Sequence, residues 1–129
     1  MGDPDSAAAL ERTIEGYNDA WNAHDLDAIV SFHAPGMVFE NHTAGERAEG
    51  DEVRGHIASI FASWPDLSFS GRRLYAREGL VVSEWTATAT ARDGRSLTWD
   101  GVDVFPCANG LILRKDVYSA AHRARTLDG

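Results

Sequence analysis

From Leu80 to Ala91 the side chains fall into two interleaved rows: Val81, Ser83, Trp85 and Ala87 against Val82, Glu84, Thr86 and Thr88. A period of two is that of a β-strand, whose successive side chains point to opposite faces. Arg92-Asp93-Gly94-Arg95 follows as a hairpin signal, because Asp-Gly readily takes the backbone conformation such turns need. Leu97 to Phe105 then runs back, Asn109-Gly110 turns the chain again, and Leu111 to Ala121 supplies the last strand. Leu67 to Tyr75 reads as one more strand ahead of them. Consecutive hairpins impose an antiparallel sheet on the second half of the chain.

The first half follows a helical period instead. A first helix is expected to start at Asp3 or Asp5, with Pro4 suited to its first turn. Leu10, Ile14, Tyr17 and Trp21 recur at helical spacing and share one stripe, and Asn22-Ala23-His24 ends the helix. Asp25 is placed to cap a short second helix with Leu26, Ile29, Val30 and His33 on one side, stopped by Pro35-Gly36. Met37 to Asn41 is a short strand candidate, and Thr43 to Gly50 a polar loop. Asp51 then caps a third helix whose buried face carries Val53, Ile57, Ile60, Phe61 and Trp64, closed by Pro65. Helices first and strands after make an α+β fold. Three helices packed on one face of a strongly curved, mostly antiparallel sheet would enclose a pocket.

A chain of 129 residues without repeats or linkers fits a single domain, 1–129, with 122–129 expected as a flexible tail. The net charge of −8 argues against a nucleic-acid partner, which a polyanion-binding surface would have to offset locally. The two short basic clusters, Arg72-Arg73 and His122-Arg123-Ala124-Arg125, read as solvated surface. The single cysteine, Cys107, allows no internal disulfide, and the acidic opening Met1-Gly2-Asp3-Pro4-Asp5 does not resemble an export signal. With no run near the roughly 20 apolar residues of a membrane helix, a cytoplasmic protein without a membrane partner is expected. His24, His33 and His42 lack metal-ligand spacing with each other or with Cys107, and no phosphate-binding glycine loop occurs. No metal and no cofactor are expected.

The order of elements is accompanied by telling local stretches. These are Tyr17 to Ile29, Met37-Val38-Phe39-Glu40-Asn41, Trp64-Pro65-Asp66-Leu67 and Gly101-Val102-Asp103-Val104-Phe105 before the Asn109-Gly110 turn. On these residues the chain resembles the nuclear-transport-factor-2-like superfamily and, within it, the SnoaL-like polyketide cyclase group, from about Leu10 to Tyr118. The resemblance implies a cone-shaped barrel with an internal pocket, and a homodimer. Similarity to the ketosteroid isomerases implies an oxyanion hole made of Tyr17 and Asp103, but the base position of that family reads Asn41. Against the limonene epoxide hydrolases, Asn41 matches a water-positioning Asn. The other positions of their relay fall on Phe39, Trp85, Ala87 and Val117. The SnoaL-like cyclases carry a His on the last strand where this chain has Lys115, and strand parity with them turns Lys115, Val117 and Ser119 toward the pocket.

Alternation then gives an inward set of Phe39, Asn41, Val81, Ser83, Trp85, Ala87, Trp99, Gly101, Asp103, Phe105, Lys115 and Val117, joined by Tyr17 and Trp21. Candidate catalytic residues are Tyr17, Asn41, Asp103 and Lys115. Candidate substrate-binding residues are Trp21, Phe39, Phe61, Trp85, Trp99, Phe105 and Val117. An apolar, aromatic lining with few polar groups suits a flat hydrophobic ligand. Burial would raise the Asp103 pKa unless Lys115 pairs with it. A neutral Asp103 could donate to an enolate oxygen; a paired one would leave an ion pair, or a partly deprotonated lysine able to act as a base or form a Schiff base. The sequence leaves both open. With the resemblance, the expectation is cofactor-independent cyclase or isomerase chemistry, stabilising an enolate on a flat apolar carbonyl substrate of polyketide- or steroid-like kind, with a non-catalytic small-molecule-binding module as its alternative.

Overall fold

The computed structural model describes residues 2–127. The first helix, α1, spans Ala7–Asn22 and buries Leu10, Ile14, Tyr17, Ala20 and Trp21. It starts later than Asp3 or Asp5 because the Ser6 side chain accepts the Ala9 N–H and caps it. Asp5 is engaged elsewhere. Its carboxylate accepts the backbone N–H groups of Asn109 and Gly110 at 2.7 and 2.8 Å, and its carbonyl accepts that of Gly79. This acid ties the N-terminus across two turns of the sheet.

Helix α2, Leu26–Ser31, is capped by Asp25 as the sequence suggests. It stops short of His33, which opens strand β1, His33–Asn41. The Phe32 carbonyl takes the Ile112 N–H and His33 pairs with Ile112, so pairing with a distant strand ends the helix. Pro35-Gly36 therefore lies inside β1, at a register shift between His33 and Val38 where Gly36 has φ +73°. The expected polar loop contains strand β2, Glu46–Glu49, antiparallel to β1. Helix α3 covers Glu52–Ser63; Asp51 sits at its N-cap without a capping side-chain bond.

Four longer strands follow: β3 Ser68–Arg77, β4 Leu80–Thr90, β5 Ser96–Ala108 and β6 Leu111–Ser119. Each is antiparallel to the next. A 3-10 turn at Ala121–Arg123 leads to β7, Arg125–Thr126, which pairs with Leu97 and Thr98 of β5. Much of the stretch expected as a tail is thus hydrogen-bonded to the sheet, while 128 and 129 lie outside the described residues.

The sheet runs β2-β1-β6-β5-β4-β3, and among the described residues only β1 and β6 pair in parallel. Its path is open: among the described residues no pairing joins β2 to β3, so the expected barrel is instead a curved open sheet. Helix α1 packs along the β3 side of this opening. The Asn22 side chain donates to the Phe69 carbonyl at 2.9 Å and accepts the Phe69 N–H at 2.8 Å, satisfying the edge of β3 as another strand would. The inner row of β4 is buried, as the period of two requires.

Candidate functional site

Between α1, α3 and the concave sheet lie two cavities of about 300 and 250 Å³. They share a wall of Trp21, Phe69, Trp85, Asp103 and Lys115. The first opens past Glu15, Asn18, Arg72 and Arg73; the second extends over Phe39, Asn41, Trp99 and Val117. Sizes in this range suit a small organic ligand.

Asp103 and Lys115 reach the wall from β5 and β6, and both are nearly inaccessible, at 4% and 5% exposure. Lys115 Nζ stands 3.9 Å from Asp103 Oδ2, an ion-pair contact longer than a hydrogen bond. The amine also lies 3.7 Å from the centroid of the Trp21 ring, with the Tyr17 ring at 5.0 Å and the Phe39 ring at 5.3 Å. Aromatic faces stabilise the cationic form, but less than the lost water did. Burial lowers the Lys115 pKa to about 8, with Asp103 resisting the shift. Burial likewise raises that of Asp103, opposed by Lys115 and by the nearby Trp85 indole.

The wall carries polar atoms without a bond. Among the described residues, Trp21 Nε1, Trp85 Nε1, Asp103 Oδ1 and His56 Nε2 are buried and have no hydrogen-bond partner. Each such group costs about 1–3 kcal/mol when left unpaired. Three of them belong to the shared wall, and the fourth, on α3, borders the second cavity.

The other expected residues divide. Phe39, Trp99 and Val117 line the second cavity with Asn41, whose Oδ1 accepts the Ala44 N–H and so serves the β1–β2 turn. Tyr17 lines neither cavity. Its hydroxyl bonds His33 Nε2 at 2.9 Å instead of facing the cavity that Asp103 borders. Burial pushes the Tyr17 pKa up and holds that of His33 down at about 4, the latter helped by Lys115. Tyr17 contributes its ring, beneath the amine. Phe105 packs on Tyr17 at 5.6 Å with no face on a cavity. Phe61 is spent on packing, stacked on His24 at 4.0 Å and edge-on to Trp21 at 5.3 Å.

Several lining residues were not singled out in the sequence. Ser83, the cross-strand neighbour of Asp103, is buried and accepts from Asn18 Nδ2 at 3.3 Å. As the one hydroxyl in the inner row of β4 it was visible in the alternation. Phe69 and His56 were not, because a bulge at Gly71/Arg73 and the flank of α3 place them. Arg72 and Arg73, read as solvated, stand at the mouth of the first cavity. Cys107 is a buried thiol whose pKa burial raises to about 11, unsuited to a nucleophile. On the outer face Glu40, His42 and Asp116 come close enough to hold a cation, but Arg114 already bonds both carboxylates.

Three helices against a curved mixed sheet, with an internal apolar site, define the nuclear-transport-factor-2-like fold. Residues 14–115 match the SnoaL-like domain, and the chain belongs to that family. A search of curated protein sequences gives no match. Among solved structures, the fold is shared with a protein of Jannaschia sp. CCS1 provisionally named a SnoaL-like polyketide cyclase. Its TM-score is 0.83 at 17% identity, over 95% of this chain and 92% of that one. TerC, co-crystallised with polyporic acid, gives a TM-score of 0.76 at 16% identity, over 84% and 88%. A protein of Kribbella flavida DSM 17836, provisionally named a ketosteroid isomerase, gives 0.69 at 19% identity, over 85% and 76%. At these identities the likeness is one of fold. No helix among the described residues is long and apolar enough to cross a membrane.

Proposed function

We propose that this protein binds a flat, apolar, carbonyl-bearing small molecule against Trp21 and Trp85 and moves a proton on it without a cofactor, in a cyclase or isomerase reaction. The observation that carries the reading is the buried Asp103–Lys115 pair, set beside the Trp21 and Trp85 indole N–H groups, which lack hydrogen-bond partners, as does Asp103 Oδ1 itself. A proton held between a depressed amine and an elevated carboxylic acid is easily relocated. Neutral Lys115 takes the proton from the carbon beside the carbonyl. Asp103 in its acid form, with the Trp85 N–H, donates to the oxygen where the enolate charge gathers. Tyr17 supports the amine from below through its ring. The membership of the family and the co-crystallised acid in TerC agree with a small-molecule site.

Hydrogen–deuterium exchange tests this directly. In D2O, candidate flat ketones should lose their α-protons in the presence of the protein and keep them with Lys115→Met. Ketones that bind yet exchange no faster than in buffer would overturn the catalytic reading. That outcome would favour a second reading, a non-catalytic carrier. One observation already leans toward it: Asn41, at the position where related isomerases carry their base, is engaged in a turn.

A homodimer is part of the proposal. The outer row of β4, with Val82 and Glu84 half-buried, and the exposed Tyr118 of β6 offer a mixed face for it. Light scattering at micromolar concentration should give twice the chain mass.

A further inference from the structure

Lys115 is the only lysine of the chain; the other eleven basic side chains counted with it are arginine. Every other Lys or Arg side chain of this protein is therefore a guanidinium, which does not lose its proton. The one side chain able to become a free amine is placed where water is excluded. Surface charge or solubility does not explain that choice, since arginine serves those needs throughout. A buried cation kept only for its charge would also be expected to close on its carboxylate, whereas Lys115 remains 3.9 Å from Asp103. The amine belongs to the wall common to both cavities, so a molecule in either can reach it.

We infer that Lys115 is a nucleophile that forms a Schiff base with the carbonyl group of its ligand, an apolar aldehyde or unhindered ketone. The inference rests on the proposal that the cavity takes a carbonyl compound, and it replaces simple proton abstraction by covalent capture. The Nζ lone pair attacks the carbonyl carbon, and the C=O π pair goes to oxygen, which takes a proton from the pair. The amine surrenders a proton as the carbinolamine forms. Asp103 in its acid form then protonates the hydroxyl, which leaves as water as the C=N bond forms; its carboxylate remains opposite the iminium nitrogen. One amine and one carbonyl give one imine and one water, with nothing oxidised or reduced. The iminium acidifies the neighbouring C–H, giving an enamine, and hydrolysis returns Lys115 with the product.

The surroundings suit this step. Trp21, Phe39 and Tyr17 present ring faces to the nitrogen, so a cationic iminium keeps the contacts of the ammonium it replaces. Asp103 from β5 and the Tyr17 ring from α1 face the amine, and His33 from β1 feels its charge. The cavities that Lys115 borders also carry Glu15 and Asp19 from α1, Arg72 and Arg73 from β3, Glu84 from β4, Glu46 from β2 and His56 from α3. Burial leaves the amine with a pKa of about 8, so a substantial neutral fraction exists at mildly alkaline pH.

The experiment uses 2-naphthaldehyde and sodium borohydride on the full chain, followed by intact mass and peptide mapping, with tryptophan fluorescence as an independent measure of binding. Because the chain has one lysine, the α-amino group is the only competing amine and serves as an internal reference. The expected result is one reduced adduct on the peptide containing Lys115, exceeding N-terminal labelling on the order of tenfold. Asp103→Asn should slow its formation on the order of tenfold or more. Fluorescence quenching with label confined to the N-terminus would overturn the Schiff base while leaving the non-covalent proposal standing. Absence of both quenching and label would overturn both. The wild-type map decides the matter even if substitution of Lys115 prevents folding.

Discussion

Trp85 lies flat across the α-carbon of Gly101, its cross-strand partner on β5, so that a β-carbon there would overlap the indole ring. The missing side chain is what lets Trp85 reach down to the wall it shares with Asp103. Gly101→Ala should displace the ring, destabilise the protein by about 1–3 kcal/mol and shift its tryptophan emission. A melt and an emission spectrum unchanged from wild type would show that Trp85 is held some other way.

Replacing the buried pair should separate stability from function. Removing one partner alone strands the other in an apolar wall, whereas Lys115→Met with Asp103→Leu removes both charges. The double variant should be at least as stable as wild type, by about 1–4 kcal/mol, and should lose α-proton exchange entirely. Thermal melts and the exchange assay on the same sample test this; a large loss of stability would mean that the pair is a structural strut.

The same pair makes an alkaline prediction. The unfolded Lys115 amine titrates near 10.5 and the folded one near 8. Below pH 8 both states hold the proton and the folded chain bears the whole desolvation cost. Between the two values the unfolded state binds more proton, so folding stability contributed by this group rises with pH. Relative to Lys115→Met, wild type should gain on the order of 2–3 kcal/mol from pH 8 to 10.5. Denaturant titrations at a series of pH values would reveal a flat difference if the amine were ordinary.

On the acid side the relevant group is His33, held neutral to about pH 4 against 6.5 when unfolded. Its contribution is fully present above 6.5 and is lost as pH falls toward 4, because the unfolded chain takes up the proton first. The loss should reach on the order of 2–3 kcal/mol, measured as the difference between wild type and His33→Phe across that window. Equal acid sensitivity of the two proteins would contradict it.

Asp5→Ala removes the acceptor for the Asn109 and Gly110 N–H groups at the β5–β6 turn. Because both groups reach water once the acid is gone, the cost should be modest, about 1–2 kcal/mol. Faster amide exchange at Gly110 should accompany it. No change at that amide would place the N-terminal tie elsewhere.

What the sequence made legible follows from where backbone periodicity rules. Regular pairing of β4 with β5 meant that alternation alone set Trp85, Asp103 and Ser83 on one face. Lys115 joined them through the parity of β6. The limits lie where one segment meets a distant one. Glu46-Arg47-Ala48-Glu49 offers a single buried residue, too little pattern to announce β2. His33 fitted a helical stripe until the pairing of Ile112 claimed the backbone around it. That reassignment brought its imidazole to the Tyr17 hydroxyl. Phe61 lies on the inner side of α3, yet whether it faces ligand or packing depends on the stack with His24, which periodicity does not encode.

The lone parallel pairing has a consequence for synthesis. Phe39 stands beside Lys115 although more than half the chain separates them, so the wall of the site is a seam between the first and last strands of the main sheet. Pairing over so long a separation comes late in folding. A nascent or prematurely ended chain would have its helices and first hairpins but no amine in an aromatic cage. The carbonyl reactivity proposed for Lys115 would then arise only once β6 has been made and has paired with β1.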